Sequence, residues 1–414
     1  MTATTPRTIA ESFDPFSAAY LADPYPFLAE VREAAPVFNS PRLDHWVVTR
    51  HLDVRHVLKS TTTISAVNAL EPLAKLCPRA SALLKVGGYA AVPALTSSDP
   101  PHHARQRRLA NAVFTPRRVA ALEPFIRDLA ERFCEDRLRG GHADMIGDFA
   151  WAFPALVLFR VLGLPESDLV RVKQGARHRG TVIYGRASED AQVDAARELA
   201  SFWHYAAGLV DARAASPGDD FVSALVGVRD VDGDNDALTR EEATSIMLQM
   251  LFAGHETTTN LIGNAFRHLL ADRTSWEAIR LDPDLIPNAI EEVLRFDSPV
   301  ITWRQKTKAP VKIGGVPVPA DAKLLLLLGA ANRDPAVFSE PDSFDIRRPN
   351  AREHLSFGVG EHICLGAPLA RLEARIVLEE VSRRLPTLRL ADDAKLEFPA
   401  SVSMRGPCAL PVHW

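Results

Sequence analysis

The stretch Phe357-Gly358-Val359-Gly360-Glu361-His362-Ile363-Cys364-Leu365-Gly366 decides the fold predicted for this chain. Its glycines at 358 and 360 allow the backbone to take positive φ angles or to approach a flat ligand closely. Residues 367–375 favour a helix, so Cys364 lies where the loop becomes that helix. Backbone N–H groups and the positive end of the helix dipole favour a thiolate over a thiol there. The stretch therefore predicts a thiolate that could bind a metal.

Two simpler interpretations compete with this one. Most free cysteines are small buried hydrophobic side chains, and an isolated Gly-x-Gly is usually a turn. The ten residues in order are more specific, because they match each fixed position of the pattern Phe-Gly-x-Gly-x-His-x-Cys-x-Gly. They closely resemble the cysteine-ligand loop of the cytochrome P-450 superfamily, and the chain resembles the bacterial, soluble type of these haem-thiolate monooxygenases.

The resemblance implies a haem b group (iron protoporphyrin IX) whose iron takes Cys364 as its axial ligand. It implies that Phe357 packs near the thiolate and tunes it. It also implies that Gly358, His362 and Gly366 contact the haem, with His362 at a propionate.

A long central helix is the second feature of the sequence. Thr239-Arg240-Glu241-Glu242 is a capping-box pattern, and we expect the helix to run from there to about Leu270. Inside it stands Ala253-Gly254-His255-Glu256-Thr257-Thr258. A buried helix with a tolerated glycine is the simpler interpretation, at a cost of roughly 1 kcal/mol relative to alanine. However, an acid beside a hydroxyl in an apolar stripe needs polar partners.

Glu256 and Thr257 are similar to the acid–alcohol pair of the superfamily's oxygen-binding helix. The resemblance implies that Ala253 and Gly254 lie against the haem and that Gly254 leaves room for dioxygen. Thr257 would then hydrogen-bond the bound oxygen or its water, and Glu256 would pass protons inward from solvent. The presence of this pair favours a reaction that uses O2 and external electrons over one that uses peroxide.

Two segments carry candidate partners for haem propionates. His103 and Arg107 are four residues apart on a helix that opens at Asp99-Pro100-Pro101, and spacing alone favours a solvated basic face. The resemblance implies instead that both side chains bind propionates. It implies the same for Arg304 in the strand-like segment 300–304, because guanidinium and carboxylate form strong charge-assisted pairs.

Glu292 and Arg295 are three residues apart on a helix that we expect to begin at Pro287. Such pairs usually lie on the surface and contribute little. The resemblance implies instead a buried structural pair that supports the cysteine loop and is joined by a later arginine. We assign that arginine to Arg348, although the adjacent Arg347 leaves the register open.

The regions expected to face the substrate have less regular sequence patterns. Residues 61–97 show no clear period and predict a long loop, and residues 170–190 are also irregular. The resemblance implies that the second region closes over the substrate. The expected wall positions are residues 86–94, Met247, Met250, Leu251, Ala253, Val300, Ile301 and Met404. The resulting fold is mainly α with a minor β portion, in the cytochrome P-450 arrangement with haem between the long central helix and the cysteine-ligand loop.

Composition sets the class of protein. The chain has 414 residues, 47% hydrophobic, and a net charge of −4, which argues against a general nucleic-acid binder. Its four cysteines show no metal or disulfide spacing, and its first thirty residues hold no signal or membrane helix. We expect one cytoplasmic domain over residues 1–414, monomeric, without a membrane segment or a reductase domain. The acidic run at 232–236 lacks an EF-hand's terminal glutamate and predicts a surface turn.

No Gly-x-Gly-x-x-Gly fingerprint for a flavin or nicotinamide lies between a strand and a helix. The predicted function is hydroxylation or epoxidation of a small hydrophobic organic substrate in secondary metabolism. Electrons would come from a separate ferredoxin and an NAD(P)H-dependent ferredoxin reductase. A basic docking face for the ferredoxin could be formed by Arg105, Arg108, Arg117, Arg118, Arg371 and Arg375.

Two rival functions remain at this point. A non-catalytic haem-thiolate protein that binds a ligand or gas would share the cysteine loop, but it would not need the pair at Glu256 and Thr257. An enzyme that uses Cys364 as a nucleophile would need no iron. The spectrum of the reduced CO complex separates the second rival from a haem-thiolate protein.

Overall fold

The computed structural model describes residues 6–227, 237–392 and 395–414. The surface turn predicted at 232–236 lies outside these ranges. The longer α-helices of the described chain begin at favourable first-turn residues or caps. The α-helices are α1 Pro6–Ser12, α2 Ala18–Ala22, α3 Tyr25–Ala34, α4 His51–Lys59, α5 Pro78–Val86, α6 His102–Val113, α7 Pro116–Ala120, α8 Glu123–Arg137, α9 Phe153–Leu162, α10 Leu169–Tyr184, α11 Glu189–Ala215, α12 Phe221–Gly227, α13 Arg240–Ala271, α14 Arg273–Leu281, α15 Ile286–Phe296, α16 Leu328–Ala331 and α17 Ala367–Arg384.

The strands are short and few. They are β1 Val37–Ser40, β2 His45–Val48, β3 Ile64–Ser65, β4 His142–Asp144, β5 Trp303–Thr307, β6 Val311–Ile313, β7 Val316–Val318, β8 Lys323–Leu326, β9 Arg389–Leu390 and β10 Pro411–His413. Single turns of 3₁₀ helix lie at Leu95–Ser97, Glu166–Asp168, Pro283–Leu285, Ala351–Glu353 and Gly360–His362, and a π-helical turn lies at Met145–Ala150. The predicted class, mainly α with a minor β portion, is confirmed.

The chain divides into two compact units. The first unit comprises Met1–Asn68, Leu122–Phe153 and Thr257–Trp414, and it holds every described strand. Its largest sheet has the order β1-β2-β8-β5-β3, in which β2 and β8 run parallel. The leucines of β8 are fully buried, as expected for the apolar run that predicted a buried strand.

The second unit comprises Ala69–Ala121 and Pro154–Glu256, and its described elements are helical. Helix α11 packs against both α5 and α10 in this unit. The long helix α13 begins here and continues into the first unit. Its predicted capping box is present, because the Glu242 amide donates to Thr239 Oγ1 at 3.1 Å and the Thr239 amide donates to Glu242 Oε2 at 2.9 Å.

The structure corrects two expectations of irregular backbone. The loop predicted at 61–97 contains α5, which begins at Pro78 after Cys77, whose sulfur caps the Ala80 amide at 3.5 Å. Residues 170–190 are irregular by their own pattern, but the two helices that the resemblance implies for this region are present: α11 begins at Glu189, and the sixteen-residue helix α10 begins at Leu169. The buried face of α10 includes the polar residues Lys173 and Arg179. The spacing of apolar residues alone therefore does not show the helical period.

Two smaller boundaries also differ. The helical period of residues 119–139 predicts one helix there, but the structure divides the segment into α7 and α8, with Ala121 and Leu122 between them. The strand expected at 300–304 begins only at Trp303, and Val300 forms an isolated bridge with Met404.

One segment, Met145–Leu162, is long and apolar enough to cross a membrane by length and composition. However, 72% of it is buried inside the protein, as in the core helix of a water-soluble domain. This segment does not indicate a membrane span.

Candidate active site

The cysteine loop takes the strained turn that its glycines predict. Gly358 has a φ angle of 67° and Gly360 one of 79°, values that favour glycine. The loop closes through a hydrogen bond from the Cys364 amide to the Phe357 carbonyl at 2.8 Å. Helix α17 begins three residues later, so the thiol lies just before its N-terminus. This geometry favours a thiolate at Cys364.

The surroundings of the thiol fit a haem group. Cys364 is exposed, although free cysteines are among the most buried residues, and the adjacent Ile363 is 46% exposed. A side chain at Gly366 would begin 3.9 Å from the Cys364 sulfur, so glycine keeps this side of the thiol open. Within the described ranges, no three His, Cys, Asp or Glu side chains cluster to hold a metal ion.

A charged network that sequence reasoning missed supports the first residue of the loop. The guanidinium of Arg371 lies over the Phe357 ring, 4.5 Å from its centroid. Buried Glu291 accepts hydrogen bonds from Arg371 Nε at 2.7 Å and Nη2 at 2.9 Å, and it lies 3.0 Å from His354 Nε2. Burial alone would raise the pKa of Glu291, but His354 and Arg371 lower it to about 2. The network therefore stays charged near neutral pH and holds Arg371 against Phe357.

The neighbouring acid, Glu292, forms the predicted pair with Arg295. The Arg295 Nε and Nη2 atoms each donate to the Glu292 carboxylate at 2.7 Å, and both side chains are fully buried. Arg348 Nε lies 3.1 and 3.2 Å from the same two oxygens. The register is therefore settled at Arg348. Arg347 is exposed and its backbone amide donates to Asp345 instead.

The candidate propionate partners occupy both units. In the second unit His103 is buried on α6, Arg107 is partly buried and donates to Asn111 Oδ1 at 3.1 Å, and His102 is exposed. In the first unit Arg304 is buried in β5, and His362 is partly buried in the cysteine loop.

The middle of α13 contains one exposed position. Ala253 is exposed, while its neighbour Phe252 is buried, so a flat ligand could lie against this turn. Gly254 packs against helix α9. A Cβ atom there would lie 2.8 Å from Leu158 Cδ1 on α9, so its missing side chain serves helix packing. The dioxygen role of Gly254 stays a prediction, and the exposed residue of this turn is Ala253.

Glu256 has two basic neighbours that the sequence did not reveal. Its Oε1 atom lies 2.8 Å from Lys173 Nζ on α10 and 3.0 Å from His255 Nε2. Burial alone would raise the pKa of Glu256, but His255 and Lys173 hold it well below its ordinary value. Burial lowers the pKa of Lys173, and the charge of Glu256 opposes that effect. Glu256 is thus an anion near neutral pH, with a cation in contact and with Thr257 next in the chain.

The expected wall positions fall into two groups. Met247 and Leu251 are fully buried on α13, whereas Met250 is only partly buried. In the first unit, the bridge between Val300 and Met404 brings those two residues together, and the Ile301 amide donates to the Ser403 carbonyl at 2.8 Å. The range proposed at 86–94 is corrected at its first residue, because Val86 is 86% exposed at the end of α5.

Comparison with known proteins places the chain in a family. The family model described as cytochrome P-450 matches residues 209–387. The cytochrome P-450 monooxygenase PikC of Streptomyces venezuelae is 36% identical over 404 residues, which are 95% of this chain and 92% of PikC. This chain belongs to the cytochrome P-450 family.

Solved cytochrome P-450 structures agree. CREJ, in complex with (4-ethylphenyl) dihydrogen phosphate, superposes with a TM-score of 0.93 at 38% identity and covers 98% of this chain and 100% of CREJ. An intact type IV self-sufficient cytochrome P-450 monooxygenase gives a TM-score of 0.93 at 38% identity. That match covers 100% of this chain and 55% of the other.

As a cytochrome P-450, the protein is a haem-thiolate monooxygenase that uses O2 as co-substrate. When bound, the haem supplies oxygen activation. The residues that sequence reasoning missed, Lys173, His255, Glu291, His354 and Arg371, belong to ionic contacts. Only His255 and Glu291 had a sequence signal, since each is adjacent to a residue already singled out.

Proposed function

We propose that this cytochrome P-450 inserts one oxygen atom into a C–H or C=C bond of a small hydrophobic organic molecule, with electrons from a separate ferredoxin and NAD(P)H-dependent reductase. The observation that carries this proposal is the Glu256 carboxylate, kept ionised by Lys173 beside Thr257. A protein that only binds a gas would need no acid–alcohol pair to relay protons in this helix. Cys364 is the proposed iron ligand, and the proposed propionate contacts are His103, Arg107, Arg304 and His362.

The chain's own part in catalysis is binding and proton supply. Glu256 exchanges a proton with solvent through its partly buried carboxylate, and the Thr257 hydroxyl positions that proton in the active site. Lys173 is a positioning residue, because it holds Glu256 in one place without reaching the reacting atoms. Cys364 would hold the iron, Phe357 would pack near its thiolate, and the buried apolar residues of α13 would exclude water.

Reconstitution tests the function directly. The purified holoenzyme with ferredoxin, reductase and NADPH should convert a substrate identified by its low-spin to high-spin shift, and the product should carry one atom of labelled oxygen from O2. The holoenzyme with NADPH alone should give no product. Binding of CO without any turnover in the complete system would support the gas-binding alternative instead.

Replacement of Glu256 by glutamine should lower the rate of product formation by about 100-fold, the lower range for loss of a proton-transfer group. Haem content and the CO spectrum should stay unchanged, because Glu256 does not bind the iron. The product formed per NADPH consumed should fall as well. An unchanged rate in Glu256→Gln would remove Glu256 from the proton path.

The same relay predicts a change in pH dependence. Because neighbours depress the pKa of Glu256, the wild type should keep this anion down to pH values well below the ordinary carboxyl range. Lys173→Met removes one of these charges, so the pKa should rise and the pH profile of product formed per NADPH should shift upward. Lys173→Arg, which keeps the charge, serves as the control. Identical profiles in Lys173→Met and the wild type would contradict the role of Lys173.

The structure narrows the proposed ferredoxin-docking arginines. Three of the six form ion pairs within the chain: Arg105 with Glu242, Arg371 with Glu291, and Arg375 with Glu123 and Glu379. By contrast, Arg117 and Arg118 on α7 are exposed and have no ion pair within the described residues. We therefore place the docking contribution mainly on α7.

Charge reversal at both positions, Arg117→Glu with Arg118→Glu, should slow the first reduction step several-fold at low salt. The effect should shrink as salt screens the charges. Arg79→Glu, another exposed arginine of the second unit, is the matched control and should reduce normally. An unchanged reduction rate and salt dependence in the double variant would exclude α7 from docking.

The remaining proposals concern the state of the protein. We propose a monomer in the cytoplasm, acting in secondary metabolism, with residues 1–414 as one haem domain. This chain matches about half of an intact self-sufficient monooxygenase. The source of the electrons is therefore the first of these proposals to test. The test compares the rate at which an added ferredoxin reduces the protein with the rate obtained when a reductase is fused to it.

A further inference from the structure

Arg179 on α10 is a buried cation that the proposed mechanism does not use. Its side chain is only 5% exposed. Its Nη1 atom donates to the Tyr89 hydroxyl at 3.1 Å, and its buried Nε atom has no hydrogen-bond partner among the residues that the structure describes. In the described part of the chain, no carboxylate lies within ion-pair distance of this guanidinium.

Two other arginines of the same chain show what is missing. Arg295 uses the edge formed by Nε and Nη2 to hold Glu292, and Arg371 uses the same edge to hold Glu291. In Arg179 that edge contacts no acceptor among the described residues. It has the two parallel N–H groups that bind a carboxylate or a phosphate in a bidentate manner.

The surroundings of this edge are apolar. Val182 lies one turn further along α10, and the partly buried Tyr89 packs against a cluster that contains Val182 and Leu199. The Tyr89 ring also lies 5.6 Å from the ring of Trp203. A buried charge without a partner in such a place destabilises the folded protein, so its retention calls for a ligand.

Helix α10 is in contact with the oxygen-binding helix. A Cβ atom at Gly180, the residue after Arg179, would lie 3.3 Å from the Phe252 ring, and the Tyr184 ring stacks on Phe252 at 6.1 Å. Phe252 directly precedes the exposed Ala253. The helix that bears Arg179 therefore forms part of the wall next to the reacting region.

We propose that Arg179, assisted by the Tyr89 hydroxyl, binds an anionic group of the substrate, either a carboxylate or a phosphate monoester. The rest of the substrate is apolar and is oxidised away from its charged end. The Tyr89 hydroxyl accepts from Arg179, so its own proton remains available to donate to the anion. This inference rests on the proposed oxidation of a small organic substrate and specifies its chemical class.

The test measures spin-shift binding of matched probes to the holoenzyme: octyl and dodecyl chains ending in a carboxylate, a phosphate or a neutral alcohol. At least one acid should bind more tightly than its alcohol by about 10-fold to 100-fold, the range for a charge-assisted hydrogen bond. Arg179→Gln should abolish that preference and leave the affinity for the alcohol unchanged. Tyr89→Phe should reduce the preference several-fold.

Arg177→Gln is the matched control, because Arg177 lies on the same helix but is exposed. It should keep the wild-type preference. The reduced CO spectrum of every variant shows whether the haem-thiolate site is intact, so a failure of the monooxygenase is seen separately. Should Arg179→Gln not load haem, Arg179→Lys, which keeps the charge but loses the paired N–H groups, replaces it. Equal binding of acids and alcohols, a preference that survives in the Arg179 variant, or no binding of any acid to intact holoenzyme would each overturn the proposal.

Discussion

Cys364→Ser is expected to abolish product formation and the red-shifted Soret band that a thiolate gives to the reduced CO complex. A serine hydroxyl stays protonated at neutral pH and is a much weaker ligand for iron than a thiolate. The loop itself should survive, because the hydrogen bond that closes it uses the Cys364 backbone amide. The measurements are the CO difference spectrum, haem content and turnover with the complete electron-transfer system.

Cys408→Ser is the matched control, since Cys408 is the other exposed cysteine within the described residues. Its spectrum and turnover should equal those of the wild type. A thiolate-type spectrum in Cys364→Ser would show that another residue binds the iron. Retained activity without any haem signal would instead favour a cysteine-independent chemistry and would refute the haem-thiolate assignment.

Glu292→Gln is expected to destabilise the folded protein by about 3–5 kcal/mol, because two buried guanidinium groups then share no carboxylate. Arg295 and Arg348 both lie within 3.2 Å of this one acid, and all three side chains are buried. The variant should be recovered with little bound haem and should unfold at a temperature lower by about 3–6 °C. Thermal unfolding of the holoenzyme and the yield of haem-loaded protein measure this.

Two comparisons make the stability result specific. Glu277→Gln removes an acid that pairs with Arg273 and Arg280 on the surface of α14, and it should leave the unfolding temperature almost unchanged. The triple change Glu292→Leu, Arg295→Met and Arg348→Leu removes all three charges, and it should be less destabilised than Glu292→Gln. Equal stability of Glu292→Gln and the wild type would show that the cluster does not support the fold.

Local spacing made several of these features predictable. The glycines around Cys364, the capping box at Thr239 and Glu242, and the pair of Glu292 and Arg295 each lie within one loop or one helical turn. The chemistry of such groups depends on residues a few positions apart, which a single sequence displays directly. The resemblance to cytochromes P-450 then connected these separate motifs into one expected site.

The other contacts could not be read in this way. Lys173 reaches Glu256 from 83 positions earlier, and Arg371 reaches Glu291 from 80 positions later, without any shared motif. The helical period of α10 was missed because two cations occupy its buried face, where a pattern of apolar residues was sought. The packing role of Gly254 could not be predicted, because Leu158, which approaches it, belongs to a different helix.

The sequence alone indicated the family and the predominance of helix and predicted the haem ligand, because these depend on local order: a cysteine in a glycine loop, periodic helices and a capped central helix. Only the tertiary structure decided the charge states and partners around them. It keeps Glu256 anionic through His255 and Lys173, couples Phe357 to Glu291 through Arg371, and leaves the Nε–Nη2 edge of Arg179 without an acid. The physical reason is that pKa values and ion pairs depend on burial and distance in space, which the order of residues along a chain does not contain.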